Sequence, residues 1–119
     1  MTLDEYISDR LDMPFVWGQH DCVLFAIGWL NIRTGKNWIA AIPPWSTAKE
    51  GLRIVKQLGG LQAEFDRRLK PVSSGIAVDG DLTIFNRSVF LFSGRHIVGP
   101  GLTCLQFTDR TKATCAWSC

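Results

Sequence analysis

Along the first part of the chain, apolar residues recur at helical spacing; from residue 79 onward they fall into short blocks separated by turn residues. Leu3, Tyr6, Ile7 and Leu11 share one helical face, and Thr2 with Glu5 has the form of a capping box, so a first helix is predicted over about 3–12, ended by Pro14. Asp21 is placed to cap a second helix over about 22–33, closed by Gly35. That segment is apolar nearly all round, the signature of a centrally buried helix, and Gly28 within it predicts close packing with a neighbour. After a loop holding Pro43-Pro44, Thr47 and Glu50 form a second capping box. They start a third helix over about 47–58 with Leu52, Val55 and Leu58 on one face, stopping at Gly59-Gly60. Residues 61–69 suit a short fourth helix. Five short strands follow, at 82–85, 89–92, 96–99, 102–107 and 115–117, as an antiparallel meander. Helices first and sheet second predict an α+β fold: one domain over 1–119, with a helical half of about 1–70 packed on a β half of about 79–118.

Composition narrows the classes. The chain has 119 residues, which suits one domain, and is 46% hydrophobic and 20% charged, which excludes a disordered chain. A net charge of +2 is too balanced for a nucleic-acid-binding face, so no nucleic-acid partner is expected. The short basic runs at Arg67-Arg68 and Arg110–Lys112 suit solvated faces. The longest apolar stretch, 23–30, falls short of the ~20 residues of a membrane span, and the acidic, amphipathic N-terminus lacks the pattern of a signal peptide. Synthesis in a cytoplasm is expected, and with it no default disulfide framework for Cys22, Cys104, Cys115 and Cys119.

Cys22 carries the sharpest chemical signal. Just behind an N-cap, unpaired N–H groups and the helix dipole favour a thiolate, the arrangement of a nucleophile for acyl transfer. The competing reading is a small buried hydrophobe. Two histidines could serve as base. His20 lies two residues before Cys22. His96 follows the Ser93-Gly94 turn; with a two-residue turn it is expected opposite Leu91, facing away from Ser88. His96, Cys104, Cys115 and Cys119 lack the tight pairs of a zinc or iron–sulfur site, so no metal or other cofactor is expected. Phe15, Trp38 and Trp45, large aromatics in non-periodic segments, suit either a groove or interface, or closure of the core.

The run Trp17-Gly18-Gln19-His20-Asp21-Cys22 opening an apolar helix resembles the NlpC-type papain-like cell-wall peptidases, and more closely their small relatives encoded with phage tail genes. Thr34-Gly35, Gly59-Gly60, Gly80-Asp81 and Trp117 follow in the order of that pattern, so the resemblance covers about residues 15–118. It implies a papain-like fold and an amidase or endopeptidase acting on peptidoglycan stem peptides. Cys22 would be the nucleophile, preceded by Asp21, with a histidine base on the second strand after Gly80-Asp81. The sequence departs from the pattern there. The base position is Ser88, and Val23-Leu24 stand where active members carry Ser-Gly. A serine hydroxyl does not accept a thiol proton at neutral pH. The resemblance then implies a structural component of a phage tail tip or baseplate, made in the host cytoplasm and carried in the virion. Its partners would be other tail-tip proteins, with peptidoglycan as a further ligand. The alternative is an active cysteine peptidase in which His96 or His20 assists Cys22, with Asp21 beside it.

Overall fold

In a computed structural model, which describes residues 1–119, four helices precede a six-stranded antiparallel sheet, and the first, second and fourth supply the core against one of its faces. Helix α1 (Leu3–Arg10) begins at the expected capping box: the Thr2 hydroxyl accepts from the Glu5 N–H, and the Glu5 carboxylate accepts from Thr2. Helix α2 (Cys22–Thr34) runs from Asp21 to Gly35, which takes φ +72°. Helices α3 (Ala48–Gln57) and α4 (Leu61–Arg68) follow. At α3 the predicted capping box is shifted by one residue. Thr47 caps the Glu50 N–H, but the Glu50 carboxylate reaches the Ser46 N–H at 3.1 Å.

The strands are β1 (Lys70–Val72), β2 (Leu82–Phe85), β3 (Ser88–Ser93), β4 (His96–Pro100), β5 (Leu105–Asp109) and β6 (Ala116–Ser118). Their order is β1-β6-β2-β3-β4-β5. The expected meander therefore holds only for β2 to β5. Strand β6 returns to the other side of β2, where Trp117 opposes Leu82, and the unpredicted β1 pairs with β6 at the edge. Strand β1 has three residues including Pro71, too short a run to show an alternation.

Side-chain alternation sends Leu82, Val89, Leu91, Val98 and Trp117 toward the helices, where they join Phe25, Leu30 and Phe65 in the main core. The opposite face carries Phe90, Phe92, Ile97 and Ala116 and is covered by Ala77 and Ala113. Arg110 fastens that cover. It stacks over the Phe92 ring at 4.9 Å and donates to the carbonyls of Ala77 and Gly94.

The close approach expected at Gly28 is made by Tyr6. A Cβ at position 28 would lie 2.5 Å from the Tyr6 hydroxyl, which is held by its 2.6 Å bond to the Phe25 carbonyl. Gly28→Ala gains ~1 kcal/mol in helix propensity but overpacks a fixed group at ~1–3 kcal/mol. A net loss is expected in urea unfolding, and it should shrink when Tyr6→Phe removes the obstructing oxygen.

Candidate functional site

The loop before α2 is closed by its own backbone, with Val16 and His20 exchanging N–H···O bonds of 2.9 and 2.8 Å. Gly18 has φ +76°, and a Cβ there would lie 1.7 Å from the Trp45 carbonyl oxygen, so only glycine lets the 45–46 segment close over the loop. Asp21, 1% exposed, ties the two together. Its Oδ1 accepts from the Leu24 N–H at 2.9 Å; its Oδ2 accepts from the Gly18 N–H at 2.9 Å and the Trp45 Nε1–H at 2.8 Å. Asp21 is thus a cap and a staple, with its oxygens committed to three donors.

These bonds hold Cys22, half-buried, at the first turn of α2, where its thiol lies near the Val89 N–H and the Ser88 hydroxyl of β3. Burial is the largest influence on the thiol and pushes it up. The Val89 N–H, the Ser88 hydroxyl and the Val23 N–H favour the thiolate but do not outweigh burial, to which the Asp21 charge adds. The thiolate expected from the helix terminus is therefore not the resting form at neutral pH. Because folding favours the neutral thiol, Cys22 supports stability below the ordinary thiol range and withdraws that support as pH rises through its folded value. Alkylation by iodoacetamide is expected to modify the exposed Cys104 and Cys119 first. Cys22 should react appreciably only above the ordinary thiol range of about 8.5, as peptide mapping across a pH series would register.

Neither imidazole stands with the thiol. His96 is exposed on β4 and opposes Ser93, because the turn residues are Gly94-Arg95 and Gly94 takes the positive φ. The expected pairing with Leu91 is thereby corrected, while the sheet face is the one expected. Its partner Ser93 lies five positions along β3 from Ser88, roughly 16 Å at ~3.3 Å per residue. There His96 opposes Asp109 across the β4–β5 pair and meets the Phe107 ring edge-on at 5.9 Å. His20, 4% exposed, packs edge-on against Phe25 at 6.1 Å, and its Nε2 has no partner. Burial, then the positive charge of Arg10, lowers its pKa, and the Asp21 charge only partly offsets them. Folding thus favours neutral His20. That stability is present above the ordinary imidazole value of about 6.5 and is lost as pH falls from there through the lower folded value. His20→Phe is expected to flatten the decline in melting temperature between about pH 7 and 5.

Gly80-Asp81 serves the fold. Gly80, at φ +90°, lies against Trp29, and the buried Asp81 accepts from the Val78 N–H at 2.9 Å and faces Arg33. Cys115 lies 3.6 Å from the Thr83 hydroxyl, and no three of the His, Cys, Asp and Glu side chains converge as metal ligands.

Cys22, Asp21 and Ser88 open into a cavity of about 500 Å³ between α2, α3, α4 and the β2–β3 turn. Phe15, Trp38 and Trp45, singled out in the sequence, all line it. Helices α3 and α4 also line it, and the one sequence signal for this is the apolar Leu52–Val55–Leu58 face, which local pattern pairs with nothing. A sealed, empty void scaled at ~24 cal/mol per Å³ would cost on the order of 10 kcal/mol, comparable with the stability of a whole domain. This cavity is open on one side, which lowers that figure, but its walls are mostly apolar and hold water poorly.

The chain matches one family over its whole length, residues 1–119. It belongs to the family described as Domain of unknown function (DUF6950). No curated protein and no solved structure matches it. No helix is long and apolar enough to cross a membrane.

Proposed function

We propose that this DUF6950 chain is a catalytically silent form of the NlpC-type papain-like scaffold and serves as a structural component of a phage tail tip or baseplate. The observation that supports the reading is the neighbour of Cys22: a serine hydroxyl, with burial favouring the neutral thiol. Attack on an amide carbonyl needs a thiolate or a base that takes the thiol proton. Ser88 supplies neither; His96 stands opposite the far end of β3, and the His20 ring packs against Phe25 with no hydrogen bond to the thiol. The Val23 and Val89 N–H groups could stabilise an oxyanion, but without an activated nucleophile no oxyanion forms. The helix-first, sheet-second order, with Cys22 at the head of the central helix facing β3, supports the papain-like part of the reading. The partners would be neighbouring tail-tip proteins, with peptidoglycan as a further ligand.

Two measurements test it. Mass spectrometry of purified virions from the encoding genome should find the chain, and particles carrying Cys22→Ala should keep wild-type titre. Purified sacculi incubated with the wild-type chain should release no new amino groups. Absence from virions overturns the tail assignment. Peptide release that Cys22→Ala abolishes overturns the silent scaffold in favour of an active peptidase.

A further inference from the structure

We propose that the cavity beside Cys22 binds a single-chain amphiphile with an anionic head, a long-chain carboxylate. The site stands independently of the tail-tip reading. About 500 Å³ lies within the ~300–1,000 Å³ range of small-ligand sites. Ile27, Leu30, Ile39, Val55, Leu61 and Ile84 are among its walls. Water in such a space lacks the two to four polar partners that hold an ordered molecule, so displacing it with an alkyl chain is favourable. Helix α3 has no buried residue in this state, although Leu52, Val55 and Leu58 share one face. An alkyl chain laid against that face completes its burial.

Charge selects the head group. Four charged residues line the cavity: Asp21, Glu64, Arg68 and Arg87. Asp21 is committed to three N–H donors. Glu64 is paired with Arg67 and Arg68, and Arg68 also donates to the Trp38 carbonyl. Arg87 makes no ion pair or hydrogen bond and adjoins Ser88 at the Cys22 end of the cavity. It sits at φ +63° in a tight turn where glycine is the favoured residue. A guanidinium fork matches a carboxylate in a bidentate pair. The alkyl chain would run between α2 and α3, and the carboxylate would meet Arg87.

The full chain would be titrated with hexadecanoate and with 1-hexadecanol, followed by calorimetry and by the fluorescence of wall residues Trp38 and Trp45. Saturable 1:1 binding of hexadecanoate is expected, weakened about tenfold in Arg87→Gln. The alcohol should bind the two forms alike. Val55→Trp should fill the space and abolish both; if it fails to fold, exposed Arg87→Gln decides the matter. Absence of saturable binding to folded protein overturns the proposal and leaves an apolar segment of a partner protein as the occupant. Hexadecanoate affinity unchanged in Arg87→Gln also overturns it.

Discussion

Asp21→Ala is expected to lower the melting temperature by roughly 10–25 °C, followed by circular dichroism. The carboxylate accepts from Leu24, Gly18 and Trp45, and it is almost wholly buried. Loss of an N-cap costs about 1 kcal/mol, and each of the two part-buried donors, Gly18 N–H and Trp45 Nε1–H, left without an acceptor costs a further ~1–2 kcal/mol. Together they amount to about 3–5 kcal/mol, against a total of about 5–15 kcal/mol for a domain. Asp21→Asn should recover part of the loss. An amide offers one acceptor oxygen, so it can keep the cap or the Gly18–Trp45 pair, but not both. The variant also releases the Trp45 indole from the loop, so its fluorescence should move toward that of a solvated indole before the chain unfolds. An Asp21→Ala protein as stable as wild type would show that the three bonds contribute nothing net.

Trp117→Ala is expected to destabilise the chain by about 3–5 kcal/mol in urea unfolding, the range for deleting a buried large aromatic. Trp117 is 2% exposed and sits in the main core, with Phe65 edge-on at 5.4 Å. It also stands at the seam where β6 returns beside β2, opposite Leu82, so the cavity it leaves lies where two distant parts of the chain are joined. Its Nε1–H donates to Asp66 Oδ1 at 2.8 Å, and Asp66 is exposed. Trp117→Phe keeps most of the packing and leaves a carboxylate that water can solvate, so a loss of only about 1–2 kcal/mol is expected. Equal losses in the two variants would assign the stabilisation to the hydrogen bond rather than to packing.

The features legible in the sequence are those set over a few residues. Thr2 and Glu5 name their own partners; Asp21 and Gly35 mark both ends of α2; and the glycines and the Asn86-Arg87 pair mark where strands turn. Such signals depend on local backbone geometry, which side chains three or four residues apart can satisfy. Strand β1 was missed because three residues with a proline carry no alternation, and only pairing with β6 makes them a strand. The pairing of His96 moved from Leu91 to Ser93 because the position of Gly94 within its turn, not the length of the turn, sets the register.

The state of the site belongs to the tertiary structure. The order of residues brings Cys22 to a helix terminus, where isolated electrostatics favour a thiolate. Packing of α2 against β3 half-buries that thiol beside Ser88 and Val89, and this desolvation outweighs the terminus. Asp21 has the form of a neighbour to a nucleophile in the sequence and becomes a staple only when Trp45, 24 residues away, closes over it. The cavity has the same origin. Leu52, Val55 and Leu58 give α3 an apolar face by periodicity alone, but whether that face meets a wall or a space depends on how far α3 stands from α2, and no local pattern encodes that distance. Local backbone preferences act over single turns and are written in adjacent residues, whereas burial and its electrostatic consequences depend on which distant surfaces meet.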